Sequence, residues 1–109
     1  MSKNTKFEQS SGNVFKDLGF SDVEAEQELL KADLAFEIHS ILDGRQLTPA
    51  KAGKILGVAP SDVSRLKQGD FDRFSVEQLF TLLNRLNRNI EIRITPAEDT
   101  VGHQRVVAV

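Results

Sequence analysis

A chain of 109 residues, 39% hydrophobic and 28% charged, has the makeup of one soluble globular domain with a modest core. The net charge of −2 excludes a uniformly basic nucleic-acid coat, and the absence of cysteine excludes disulfides and thiolate metal sites and suits a reducing cytoplasm. No apolar run is long enough to span a membrane, and residues 1–11 are too polar to form a signal-peptide core.

In chain order, residues 1–11 show no hydrophobic period and are expected to be a disordered tail. From Gly12 to Phe20, the apolar Val14, Phe15, Leu18 and Phe20 suggest an ordered arm. Ser21 and Glu24 have the spacing of a capping box, which predicts a helix from about Asp22 to Leu42, stopped by Gly44. Leu30, Leu34, Ile38 and Ile41 or Leu42 recur at helical spacing, with Ala35 and Phe36 widening the stripe.

Two short helices follow, each with Pro in its first turn. Thr48 can cap the first, and Pro49 at N1 loses no hydrogen bond there. Ala52 and Gly53 are small enough for a close crossing, and Ile55 and Leu56 are apolar. Gly57 can adopt the left-handed conformation that ends a helix, and Val58 is placed to fill the corner. Pro60 opens the second helix, where Val63 and Leu66 form the inward stripe. Ser61, Asp62, Ser64 and Arg65 are left facing outward. This pattern is that of a helix-turn-helix, in which the second helix enters a DNA major groove. The sequence 68–73 is a loop with Gly69 as the helix stop. Ser75 and Gln78 form a second capping box, with Phe74 and Leu79 as a hydrophobic staple. That helix is expected to run to about Asn87, with Asn89 as a left-handed stop.

Ile90-Glu91-Ile92-Arg93-Ile94-Thr95 alternates strictly and predicts a strand closed by Pro96. A lone strand has unpaired backbone groups and an exposed apolar face, so it needs a partner. The favoured partner is the same strand of a second copy, making Ile90, Ile92 and Ile94 a dimer interface. The alternative is pairing with Val106, Val107 and Val109 of its own chain. Residues 96–109 are otherwise expected to form a loose tail.

Charge is unevenly distributed. Residues 21–44 hold seven acidic side chains against Lys31 alone, whereas residues 45–95 hold nine basic against five acidic. Only the second stretch could approach phosphates without repulsion.

These stretches resemble a known family. The core is similar to the Cro/C1-type (XRE) helix-turn-helix, and residues 12–95 resemble the small HigA antitoxin-like regulators within it. The resemblance rests on residues 11–20, on Leu47 to Gly69, and on Phe74 to Leu79 running into Leu86 to Ile92. It implies a mainly α, Cro/C1-like (lambda-repressor-like) helical DNA-binding domain, with the short C-terminal β-strand used in dimerisation. The domain would occupy 12–95, between a tail at 1–11 and a tail at 96–109. The implied function is a sequence-specific transcriptional regulator, an autorepressor binding a palindromic operator as a homodimer. The alternative is an antitoxin-type module that neutralises a RelE-like toxin through the arm and the acidic helix. Two departures from the family pattern are plain: Pro49 stands where a phosphate-contacting Gln is usual, and Ala59 stands where a Ser or Thr cap is usual.

Arg65 is the main candidate for reading a base, because its guanidinium can make two bonds to guanine. Ser61 and Ser64 are short enough to allow close approach, and Asp62 could accept from cytosine. The alternative for Arg65 is an exposed residue paired with Asp62. Thr48, Lys51, Lys54, Lys67 and Arg73 are candidates for phosphate contact, which positions without specifying. His39 and His103 lie far apart and no metal-ligand constellation forms, so no cofactor and no metal are expected. Asp70, Asp72 and Glu77 are better read as polar loop residues than as a cation site. No nucleophile elbow or acid–base pair stands out, so no enzyme is expected. The implied location is cytoplasmic, on the nucleoid through DNA.

Overall fold

The computed structural model describes residues 21–109 apart from Asp99. The expected tail at 1–11 and the arm at 12–20 lie outside the described residues. Four helices are described: α1 (Asp22–Gly44), α2 (Pro49–Leu56), α3 (Pro60–Lys67) and α4 (Val76–Arg85). Contacts divide the described chain into two units. One includes residues 21–30 and 96–107, and the other Lys31–Thr95 with Ala108–Val109.

The larger unit holds the helix-turn-helix. Its core takes Leu34, Ile38 and Leu42 from α1, Leu56 from α2, Val63 and Leu66 from α3, and Leu79, Leu82 and Leu83 from α4. No polar or charged residue is buried among the described residues. Burial of this apolar surface, at roughly 25 cal/mol per Å², offsets the entropy lost in ordering three helices too short to be stable alone. The inward stripe of α1 is narrower than expected. Phe36 is 63% exposed, because it stands beyond the arc that the other helices cover. It borders an open groove with Phe71, His39 and Leu66.

Helix ends follow local chemistry, with two corrections. The Ser21–Glu24 capping box forms in both directions, each bond at 3.2 Å. Gly44 does not supply the left-handed stop for α1. Gln46 does, at φ 53°, and Leu47 N–H donates back to Leu42 C=O. The second capping box also closes: Ser75 N–H donates to Gln78 Oε1 at 2.8 Å, and Gln78 N–H to Ser75 Oγ at 3.1 Å. Both expected staple residues, Phe74 and Leu79, are buried. The chain then turns at Asn87 (φ 63°) rather than Asn89, and Arg88 N–H reaches back to Leu83 C=O at 3.0 Å. The short polar side chain of Asn tolerates this conformation at low cost.

Residues 90–95 form no strand, and no ladder is present among the described residues. The expected strand and the alternative pairing with the C-terminal valines are therefore both absent from the single chain. The physical reason is that a strand, unlike a helix, cannot satisfy its backbone within itself. Ile92 and Ile94 are 72% and 93% exposed, while Ile90 is half-buried. In the smaller unit, the tail is not loose throughout. His103 Nδ1 lies 2.8 Å from Glu26 Oε2, and Gln104 N–H donates to Glu26 Oε1 at 2.6 Å.

Candidate nucleic-acid interface

The geometry of the α2–α3 pair begins with its caps. Thr48 Oγ1 accepts from Lys51 N–H at 3.2 Å, with Pro49 occupying the first helical turn. At the other end of α2, the N–H groups of Gly57 and Val58 both end on Gly53 C=O, at 2.7 and 3.0 Å. Gly57 sits at φ 75°, where a side chain is strained. Gly53 is required for a different reason. A Cβ there would lie 2.7 Å from Val58 C=O, which is backbone and cannot swing aside. The absent methyl group thus sets how closely the turn folds back over α2. Val58 is half-buried at this corner.

Across the turn, α3 starts at Ala59, whose side chain gives no cap bond, so Pro60 and the ladder bonds from Asp62 and Val63 to Ala59 C=O carry the start. Val63 and Leu66 point into the core with 0 and 1% exposure. That fixes the rotation of α3 and turns Ser61 outward, with Ser64 and Arg65 half-exposed beside it. Gly69 at φ 82° ends the helix.

Two arginines counted in the basic stretch have structural work that the sequence reading missed. Arg85 donates from Nη1 to Leu56 C=O at 3.3 Å, tying α4 to the end of α2. Arg45 donates from Nη2 to Leu86 C=O at 2.9 Å, closing the end of α4. Carbonyls at helix ends lack intrahelical donors and favour such cations. The signal was available only in part: Arg85 lies in the last turn of its own helix, but its acceptor is 29 residues away.

The expected site residues fall as follows. Asp62 and Arg65 are brought together, Nη1 to Oδ1 at 3.1 Å, with side chains 29 and 35% exposed. Thr48, Lys51, Lys54 and Arg73 are exposed, and Lys67 is half-exposed at the end of α3. Ile90, Ile92 and Ile94 lie beyond α4, in a segment without regular secondary structure. Among the described residues no group of three or more His, Asp or Glu could hold a metal ion. No described helix is long and apolar enough to cross a membrane.

Two short helices packed across a glycine-bounded turn, the second with a polar face outward, define the helix-turn-helix class of DNA-binding protein. Comparison agrees. A helix-turn-helix domain model matches residues 14–95. A solved structure assigned as an XRE family transcriptional regulator is 34% identical, with a TM-score of 0.70, over 79% of this chain and 97% of that one. No curated protein matches. The chain belongs to the XRE family of helix-turn-helix transcriptional regulators.

Proposed function

We propose that the chain is a sequence-specific DNA-binding regulator that represses its own promoter as a homodimer on a palindromic operator. The carrying observation is the rotation of α3: with Val63 and Leu66 buried, Ser61, Ser64 and Arg65 form one outward polar face. In this reading α3 lies in the major groove. Arg65 reads guanine, while Ser61, Ser64 and Asp62 line the approach. Thr48, Lys51, Lys54, Lys67 and Arg73 hold phosphates and set the register.

The homodimer reading is supported by the alternating segment 90–95, whose Ile92 and Ile94 are exposed. Pairing with the same segment of a second copy would complete a two-stranded antiparallel ribbon across a two-fold axis. It would present two α3 helices to half-sites about one turn of DNA apart. A HigA-like role toward a RelE-like toxin draws support from α1, which carries seven acidic residues against Lys31 in 21–44 and suits a basic protein surface.

Fluorescence anisotropy on the chain's own upstream DNA, with scrambled DNA as control and a salt series, tests the reading. Tight binding to the upstream fragment alone, weakening steeply with salt, is expected. Equal or absent binding to both DNAs would overturn self-operator recognition.

A further inference from the structure

Resting on that reading, we infer that Asp62 is a positioning residue that holds Arg65 for base recognition, and that it reads no base itself. The pair spans one turn of α3, and its placement decides what it can do. Arg65 is the sixth residue of α3 and Asp62 the third. A helical side chain already leans toward the N-terminus of its helix. The bond from Arg65 Nη1 to Asp62 Oδ1 draws the guanidinium further in that direction. The N-terminal part of a recognition helix is the part that meets base edges.

The bond engages Nη1 and one carboxylate oxygen. Nε and Nη2 remain a pair of donors on one edge of a planar group, suited to guanine O6 and N7. The long arginine side chain is then partly ordered before DNA arrives, which lowers the entropy cost of binding. The pair also resolves an electrostatic problem. A bare carboxylate this near the groove would repel phosphate, and the adjoining guanidinium offsets it. Asp62 therefore trades some general affinity for preference at one base pair.

This predicts a non-additive pair. Removing Arg65 exposes the Asp62 carboxylate, so Arg65→Ala should weaken binding by more than the lost base contact. Removing Asp62 as well should restore part of that loss. The test begins with selection from a randomised duplex library using the intact protein, which identifies the preferred site. Affinities of wild type, Asp62→Ala, Asp62→Asn, Arg65→Ala and the Asp62→Ala/Arg65→Ala double variant are then measured. The DNAs are that site, each of its single-base variants and an unrelated duplex. Melting curves for each variant confirm folding.

Arg65→Ala is expected to cut guanine preference at one base pair by roughly five- to hundredfold. Asp62→Ala should reduce preference at that same base pair several-fold while binding to the unrelated duplex holds or rises. Asp62→Asn, which keeps an acceptor but no charge, should retain part of the preference. The double variant should bind better than Arg65→Ala alone. Preference unchanged in Asp62→Ala would overturn the inference, as would loss at a different base pair, which would make Asp62 a direct reader. Strictly additive effects would also overturn the coupling. If the wild type selects no site at all, the DNA-recognition reading itself fails, and this inference falls with it.

Discussion

The α2–α3 pair and the segment 90–95 differ in how their sequence patterns become structure. The helix pair has short, noisy patterns: each helix has eight residues, a Pro at the start and two core-facing apolar residues. Yet every expected feature of the turn between them is present. The segment 90–95 has the cleaner pattern, three isoleucines at alternate positions, and forms no element in the single chain. The contrast follows from where the hydrogen bonds lie. A helix closes its ladder within itself, so local sequence suffices once one face is buried. A strand needs a second strand, and a pattern that fits one cannot say where its partner comes from.

The largest expected effect deepens this contrast. Leu56→Ala removes a core residue with 1% exposure from the end of α2 and should cost about 2–5 kcal/mol in denaturant unfolding. Gly53→Ala tests the turn itself. The helix would gain from Ala, but the 2.7 Å approach to Val58 C=O forces the backbone apart. A net loss of about 1–3 kcal/mol is expected. A stabilised Gly53→Ala protein would show that the turn is looser than its geometry implies.

Arg85→Ala should cost less, about 0.5–1.5 kcal/mol, by freeing Leu56 C=O at the same corner. Replacing Ile92 and Ile94 by Asp addresses the other region. Both side chains are exposed in the single chain, so monomer unfolding should shift by no more than about 0.5 kcal/mol. Sedimentation should nonetheless show loss of any dimer. A large fall in monomer stability would mean that the segment packs on its own chain.

The smallest effect concerns Asp33. Partial burial raises its pKa above the usual 3.8, and Glu37 one turn along raises it further. Well below pH 3.8 the group is protonated in both folded and unfolded states and has no effect on stability. As pH rises through the raised value, the folded state must carry a half-buried charge and loses stability relative to the unfolded chain. Asp33→Asn should therefore melt slightly higher than wild type at neutral pH, with the difference vanishing in acid. A constant difference across that range would remove Asp33 as its cause.

Much of the fold was legible from residues at fixed offsets. Both capping boxes, the Thr48 cap, the two first-turn prolines and the left-handed glycines 57 and 69 work through bonds or torsions spanning a few residues. Of the candidate site, the outward face of α3 was legible to the same degree, because burial of Val63 and Leu66 decides it. What misled was competition between adjacent stops. Gln46 was taken over Gly44 and Asn87 over Asn89, because each stop must fall where the preceding helix runs out of core to cover. Phe36 misled in the same way, since periodicity marks a stripe but not how wide an arc other helices will reach.

By itself, then, the sequence determined the four described helices, three of them with side-chain caps, a glycine-bounded turn and a polar face on the second short helix, all consequences of local backbone chemistry and helical period. Tertiary structure alone decided three matters. It assigned Arg45 and Arg85 to distant helix ends, it showed how close Gly53 lies to Val58, and it left Ile92 and Ile94 uncovered. The two arginine contacts join groups 41 and 29 residues apart in the chain, so their meeting is set by packing rather than by spacing.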